Sequence, residues 1–174
     1  MRLFISINFD QPTRANILKV QERLRREGNG NFSSEENLHL TLAFLGEIDE
    51  ERVSAVKEAM DTVYVPELNL RFSDIGFFRT GKNQDSQLWW IGLEENKLLS
   101  KLQAGLTKEL KARGFVLEDR AFKPHITLAR ELHLYKWDKQ ALFPKKFTAT
   151  AEHISLMRSH RVNGKLTYTE IYRK

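Results

Sequence analysis

Runs of apolar, β-favouring residues alternate along the chain with segments in which apolar residues recur every three or four positions. The first pattern predicts β-strands and the second predicts amphipathic α-helices. The predicted strands cover residues 2–9, 38–45, 68–78, 88–93, 126–129, 154–162 and 165–172. The last two strands flank Asn163-Gly164, which is the preferred two-residue turn of a β-hairpin.

Three apolar stripes predict three helices. The stripes are Ile17, Val20 and Leu24; Val53, Val56, Met60 and Val63; and Leu99, Leu102, Leu106 and Leu110. Asp10 and Asp49 precede the first two stripes and are residue types that favour helix N-caps. Gly28 and Gly114 are expected to end the first and third helices, and the polar segment 79–87 is expected to form a loop.

One tetrad occurs twice: His39-Leu40-Thr41-Leu42 returns 86 residues later as His125-Ile126-Thr127-Leu128. Because side chains alternate along a strand, the imidazole and the hydroxyl of each copy share one face, while the aliphatic residues lie on the other. Each copy therefore offers half of a polar site.

The segments before the two tetrads also correspond. A strand, a helix, a polar loop and a His-x-Thr strand occur twice in that order, with 36 residues from Leu3 to His39 and 37 from Leu88 to His125. We interpret residues 1–174 as a single domain formed by internal duplication. An approximate two-fold axis would bring the two tetrads face to face across a cleft.

The length of 174 residues suits one sizeable core. The absence of cysteine excludes disulfides and thiolate metal sites, as is typical of proteins in a reducing compartment. The apolar start, residues 1–8, is too short for a signal peptide or a membrane span. We therefore expect a soluble cytoplasmic protein.

The net charge of +5 is concentrated between Lys145 and Lys174, and the rest of the chain is neutral overall. A one-sided excess of positive charge would attract a polyanion such as RNA. A solvated basic hairpin without a special role is the alternative interpretation.

Two histidines that face each other across a cleft suit a displacement at phosphorus. One imidazole removes a proton from the attacking oxygen and the other protonates the leaving oxygen, since both forms are available near neutral pH. The threonine hydroxyls are suited to donate hydrogen bonds to the non-bridging oxygens. No step requires a metal, so no cofactor is expected.

Other kinds of site have less support. A metal site would need three or four ligands, but the chain has no cysteine, no helical His-x-x-x-His and no carboxylates grouped with the tetrads. A serine nucleophile lacks its Gly-x-Ser-x-Gly motif. His133, His153 and His160 have no companion threonine and are interpreted as surface or hairpin residues.

The paired tetrads resemble those of the two-histidine (2H) phosphoesterases, and most closely the RNA 2′,3′-cyclic phosphodiesterases, also called LigT-like proteins or 2′-5′ RNA ligases. The resemblance covers nearly the whole chain. It rests on residues 2–5, 37–47, 88–93 and 122–130, and on Ser159, Gly164 and Tyr168 in the final hairpin.

The resemblance implies an α+β fold with two pseudo-symmetric lobes of antiparallel β-sheet, helices packed outside and a central cleft. It implies metal-independent hydrolysis of terminal RNA 2′,3′-cyclic phosphates to 2′-phosphates. The expected partners are RNA ends or small cyclic nucleotides, with no membrane and no obligatory protein partner, and a monomer is expected. The alternatives left open are 2′-5′ RNA ligation, hydrolysis of another cyclic or 2′-5′-linked nucleotide, and a non-catalytic RNA-binding module.

By the same resemblance, His39 and His125 are the acid–base pair, with His39 assigned to protonate the departing O3′ and His125 to activate water. Thr41 and Thr127 hold the phosphate. Arg130 matches a family arginine near the phosphate, although alternation along a regular strand points it away from His125. A bulge, a twist or the end of the strand would be needed to turn it into the cleft.

Three aromatic residues, Phe122, Phe9 and Trp90, are candidates for stacking on a terminal base, because every nucleobase offers a π-face. Each is also of a type found in hydrophobic cores. The final hairpin carries Arg158-Ser159-His160-Arg161, which is more basic than in many relatives and leaves RNA contacts by the tail open.

Overall fold

The computed structural model describes residues 1–174. Its nine strands are β1 (Arg2–Asn8), β2 (Asn31–Phe32), β3 (His39–Glu47), β4 (Leu68–Thr80), β5 (Ser86–Leu93), β6 (His125–Arg130), β7 (Phe147–Ala151), β8 (Ser155–Val162) and β9 (Lys165–Arg173). Its four helices are α1 (Gln11–Glu27), α2 (Val53–Thr62), α3 (Lys97–Ala112) and α4 (Lys139–Leu142). The predicted strands and helices are all present, which confirms the interpretation of the hydrophobic pattern.

Local signals in the sequence explain where the long helices begin and end. Asp10 caps α1 by accepting a hydrogen bond from the backbone N–H of Thr13 at 2.9 Å, and Asn96 caps α3 in the same way through Leu99 at 3.0 Å. After α3, Gly114 has a φ of +81°, a left-handed conformation that glycine adopts without steric cost.

The predicted cap at Asp49 is wrong. A 3₁₀ turn at Glu50–Arg52 lies between Asp49 and α2, and the Asp49 side chain makes no capping hydrogen bond. The extra turn delays the start of the α-helix to Val53, so the N–H groups that Asp49 would cap are displaced along the chain.

The strands form an antiparallel sheet in the order β7-β4-β5-β6-β3-β1-β8-β9, with β2 paired to β6. At its centre, β3 and β6 pair at a single position, Leu40 with Ile126. This narrow join divides the sheet into a first lobe (β3, β1, β8 and β9) and a second lobe (β6, β5, β4, β7 and β2). The predicted bilobal architecture is therefore present.

Helices α1 and α3 and strands β4 and β8 each pack in the lobe opposite to that of the strand that precedes them in sequence. Helix α1 follows β1 of the first lobe in sequence but packs against β7 and α4, which flank the second lobe. Helix α3 follows β5 of the second lobe but packs against β3 and α2. Strands β4 and β8 show the same exchange. Strand β4 follows β3 of the first lobe but pairs with β5 of the second, and β8 follows β7 of the second lobe but pairs with β1 of the first. Each lobe is therefore completed by parts of both repeats.

Several elements differ from the sequence prediction. Strands β2 and β7 and helix α4 are short and were not predicted, because two to five residues give too little periodicity. The predicted loop 79–87 is reduced to residues 81–85, since β4 and β5 extend the hairpin toward its tip. None of the helices has the length and the apolar character that a transmembrane helix requires.

Candidate active site

The two tetrads meet where the lobes join. Leu40 and Ile126, which form the single β3–β6 pair, are fully buried, whereas the histidines and threonines on the other face are partly exposed. An antiparallel register continued from this pair sets His39 opposite Thr127 and His125 opposite Thr41. The structure thus brings the four predicted residues to one face of the central strands.

Each histidine is fixed by a carbonyl two residues earlier in the chain. His39 Nδ1 lies 2.7 Å from the backbone oxygen of Asn37, and His125 Nδ1 lies 2.6 Å from that of Lys123. A carbonyl oxygen only accepts, so each Nδ1 carries the hydrogen and donates it. In the neutral imidazole, this leaves Nε2 as the basic nitrogen of both rings.

The two Nε2 atoms have different partners. His39 Nε2 lies 2.9 Å from Thr41 Oγ1, and in the neutral ring it accepts the hydroxyl hydrogen. His125 Nε2 makes no hydrogen bond within the protein. The lone pair of His125 is therefore free, while that of His39 is engaged.

A β-bulge changes the direction of Arg130. Trp90 of β5 pairs with Thr127, and the preceding Trp89 pairs with Ala129, so Leu128 is an extra residue in β6. Leu128 and Ala129 are both buried, and Arg130 is exposed beyond them. The bulge shifts the alternation by one residue and turns Arg130 toward the face that carries His125.

Strand β3 has the same bulge. Ser6 of β1 pairs with Thr41, and the preceding Ile5 pairs with Ala43, so Leu42 is the extra residue. The residue that corresponds to Arg130 is then Phe44, whose side chain is 41% exposed and lies under the guanidinium of Arg2 at 4.8 Å. Phe44 was not singled out from the sequence, although it follows Thr41 at the spacing at which Arg130 follows Thr127.

A family model described as LigT-like phosphoesterase matches residues 7–89 and 91–168. The chain belongs to the LigT-like phosphoesterase family. An RNA 2′,3′-cyclic phosphodiesterase from Thermotoga maritima is 34% identical over 143 residues, covering 80% of this chain and 75% of the relative. One from Archaeoglobus fulgidus is 31% identical over 130 residues, covering 75% and 72%.

A solved structure agrees with this assignment. Escherichia coli LigT complexed with 3′-AMP matches with a TM-score of 0.84 and 25% sequence identity, covering 99% of this chain and 96% of that chain. The expected family and the expected α+β fold of the LigT-like proteins are thereby confirmed.

Aromatic rings hold both imidazoles of the LigT-like site. The ring of His39 lies 4.8 Å from that of Phe4 and meets the ring of Tyr168 edge-on at 5.3 Å. The ring of His125 meets that of Phe78 edge-on at 5.0 Å. Such contacts restrict the rotation of each imidazole and exclude water from its sides.

Of the three candidate stacking residues, Trp90 lies next to the tetrads. It pairs with Thr127 across the β5–β6 ladder, and its ring lies 5.3 Å from that of Phe78. Its indole covers Gly92 and Gly76, where an added Cβ would approach it to 3.0 and 2.9 Å respectively.

Of the other two candidates, Phe9 is more deeply buried than Trp90, whereas Phe122 is half-buried like it. Phe9 is only 7% exposed and packs edge-on against Phe72 in the core at 5.7 Å, although it also lines the pocket beside His39. Phe122 is half-buried against the core. The structure therefore gives Trp90 and Phe44 more open positions than Phe9.

A small pocket of about 110 Å³ lies beside His39. Arg14 of α1 and Asn37 are among its polar residues, and Phe4 and Tyr168 supply aromatic walls. Arg14 Nε and Asn37 Oδ1 are buried without a hydrogen-bond partner in the protein.

The surroundings lower the pKa of both histidines. For His39, burial lowers the pKa most, the bond to Asn37 opposes this effect, and the positive charges of His125 and Arg130 lower it further. For His125, burial is again the largest cause, the bond to Lys123 opposes it, and Arg120 and Arg130 lower the pKa further. The charge of Arg130 is thus among the causes that lower the pKa of both rings.

Cations of the basic tail are engaged in ion pairs. Lys165 pairs with Glu36 at 2.5 Å, and Arg173 pairs with Glu170 at 3.0 Å. Tyr168 of the tail reaches the LigT-like site, and burial raises the pKa of its phenol.

The remaining histidines lie outside the site. His133 bonds the backbone oxygen of Asp85 at 3.0 Å, and His160 bonds Thr169 at 2.8 Å. His153 is exposed. These positions agree with their interpretation as surface or hairpin residues.

Proposed function

We propose that this protein is an RNA 2′,3′-cyclic phosphodiesterase that hydrolyses a terminal cyclic phosphate to a 2′-phosphate by two-histidine acid–base catalysis. The observation that carries the proposal is the pair of imidazoles on one face of β3 and β6, each with its Nδ1–H bound to a carbonyl. The relatives from Thermotoga maritima and Archaeoglobus fulgidus bear this enzyme name.

In this mechanism, His125 is the general base. Its neutral Nε2 has no protein partner, so it is free to accept a proton from a water molecule. The water oxygen attacks phosphorus as this proton leaves. The carbonyl of Lys123 stabilises the imidazolium that forms, because it accepts the Nδ1–H in both protonation states.

His39 is the general acid. Its protonated Nε2 gives a hydrogen to O3′ as the bond from phosphorus to O3′ breaks, which leaves a 3′-hydroxyl and a 2′-phosphate. Once Nε2 is protonated, it no longer accepts from Thr41. The hydroxyl hydrogen of Thr41 is then released toward a non-bridging phosphate oxygen.

Charge on the phosphate is held by groups from both lobes. Thr127 supplies a second hydroxyl opposite His39, and Arg130 supplies a positive charge that acts on both imidazoles. Hydrogen bonds from a charged guanidinium to phosphate oxygens are stronger than those from neutral donors. Electrostatic stabilisation of this kind is commonly the largest contribution to catalysis.

The test is product analysis with an oligonucleotide that ends in a 2′,3′-cyclic phosphate, in the presence of EDTA. We expect a 2′-phosphate, and we expect His39→Ala and His125→Ala to lower turnover by about 10²- to 10⁴-fold. Ends that remain cyclic, or variants as active as the wild type, would refute the proposal. Oligonucleotides with a free 5′-hydroxyl or a 2′-5′ linkage, tested in parallel, distinguish hydrolysis from ligation.

We further infer that residues 1–174 form one domain that acts as a monomer on RNA ends. Both tetrads come from the same chain, so one copy holds all four proposed residues. The matching bulges at Leu42 and Leu128 support the origin of the two repeats by internal duplication.

A further inference from the structure

Two glutamines occupy corresponding positions in α1 and α3. Gln21 follows the stripe residues Ile17 and Val20, just as Gln103 follows Leu99 and Leu102. Gln21 is only 2% exposed, and the Gln103 side chain is partly buried. A polar side chain beside a buried helix stripe needs hydrogen-bond partners inside the protein.

Both glutamines find those partners at the β-bulges. Gln21 Nε2 donates to the backbone oxygen of Leu128 at 3.0 Å, and Gln103 Nε2 donates to that of Leu42 at 3.3 Å. Leu128 and Leu42 are the extra residues of β6 and β3. Because a bulge disrupts the ladder locally, the polar groups of its extra residue need other partners.

The bulge in β6 is held more firmly than that in β3. Gln21 also donates to the backbone oxygen of Ser33 at 2.7 Å. The Ser33 N–H donates to the Leu128 oxygen at 2.9 Å, and its hydroxyl donates to the Thr127 oxygen at 3.0 Å. Gln21 and Ser33 thus form a small network around the backbone that joins Thr127 to Arg130.

The bulge at Leu128 turns Arg130 toward the catalytic face, so the side chain that holds the bulge also sets the direction of the guanidinium. We propose that Gln21 is a positioning residue for Arg130, and that Gln103 has the corresponding role for Phe44 in the other lobe. Gln21 has no direct part in the chemistry. This inference rests on the proposed function, because it takes Arg130 to stabilise charge on the phosphate.

The test is a double-mutant cycle on the full chain with a 2′,3′-cyclic mononucleotide as substrate. Gln21→Met keeps the length of the side chain and removes the donor. We expect kcat to fall by roughly 10- to 100-fold, the loss typical of a group misplaced by up to about 1 Å, with a smaller change in KM. In an Arg130→Ala background, the same substitution should have less than about a twofold further effect, because the group that it positions is absent.

Gln103→Met is the matched control, because it removes the same donor from the other bulge, which directs Phe44 instead of Arg130. Its effect on kcat should be the same in the wild-type and Arg130→Ala backgrounds. Thermal unfolding should show that each variant is folded at the assay temperature. If Gln21→Met does not fold, the shorter amide of Gln21→Asn replaces it in the same cycle.

Two results would overturn the inference: an unchanged kcat for Gln21→Met, or losses that multiply fully when it is combined with Arg130→Ala. Either result would show that Gln21 has only a structural role. A different result would refute the proposed function, namely that the wild-type protein does not hydrolyse the cyclic phosphate.

Discussion

The Nε2 of His39 lies 2.9 Å from Thr41 Oγ1, whereas the Nε2 of His125 makes no such bond with Thr127. In the proposed mechanism, Thr41 therefore has two roles, to hold the His39 ring and to donate to the phosphate, while Thr127 has only the second. We expect Thr41→Val and Thr127→Val each to lower kcat by about 10²- to 10³-fold, with the larger loss for Thr41→Val. Steady-state kinetics on a cyclic mononucleotide measures this difference.

Serine provides the control for both threonines, because it keeps the hydroxyl and removes only the methyl group. The kcat of Thr41→Ser and of Thr127→Ser should stay within roughly tenfold of the wild-type value. This loss is smaller than the loss expected when the hydroxyl donor is removed. A fully active Thr41→Val variant would contradict the role assigned to this hydroxyl.

The charge of Arg130 should affect the pH dependence of kcat/KM. Because the pKa of both imidazoles is lowered, the bell-shaped profile of kcat/KM should have its maximum below pH 6.5, the ordinary pKa of histidine. Arg130→Gln removes a positive charge near both rings, which favours their protonated forms. The pKa of each should rise, and both limbs of the profile should move to higher pH.

Arg120→Gln is the comparison, because Arg120 lowers the pKa of His125 but is not among the causes of the shift at His39. Only one limb of the profile should then move to higher pH. Equal movement of both limbs in Arg120→Gln, or no movement in Arg130→Gln, would contradict the placement of these charges.

The position of the Trp90 indole should depend on the absence of side chains at the glycines beneath it. A Cβ at position 76 would lie 2.9 Å from two atoms of the indole, so Gly76→Ala forces the ring to move. Overpacking of this kind typically costs about 1–3 kcal/mol of unfolding free energy. Urea denaturation should show that loss, and it should shrink in a Trp90→Leu background, where the flat ring is gone. Equal losses in both backgrounds would contradict this contact.

Gln87 should anchor the β4–β5 hairpin. Its side chain accepts from Trp89 Nε1 at 3.0 Å and the Leu134 N–H at 2.8 Å, and it donates to the Leu134 oxygen at 3.2 Å. Gln87→Leu leaves buried backbone groups of Leu134 without this partner, so we expect a loss of roughly 2–5 kcal/mol in urea denaturation. The exposed amide of Gln140 is the control, and Gln140→Leu should change stability by less than about 0.5 kcal/mol.

The order of seven strands and three helices, and the meeting of the four tetrad residues on one face, could be predicted from the sequence, because they depend on local periodicity and on a repeated motif. The direction of Arg130 could not be predicted in this way. It depends on a bulge at Leu128, which is held by Gln21 from a point 107 residues earlier in the chain. Strict alternation along β6 would have placed the guanidinium on the wrong face.

One local signal of the bulges was nevertheless present. Leu42-Ala43 and Leu128-Ala129 each place two apolar residues in succession after a tetrad threonine, and both pairs are buried. A regular strand with one polar face would not bury two neighbours in a row. The matching glutamines of α1 and α3 were a second signal, which the apolar stripes alone did not reveal.

The exchange of helices and strands between the lobes has a consequence for the origin and assembly of the molecule. A half-length chain with one tetrad would lack the helix that holds its own bulge and the strand that completes its own sheet. Such a chain would satisfy its hydrogen bonds only by swapping these parts with a second copy. The proposed internal duplication would thus have joined a domain-swapped dimer into one polypeptide, and we expect fragments separated within residues 81–85 to need each other to fold.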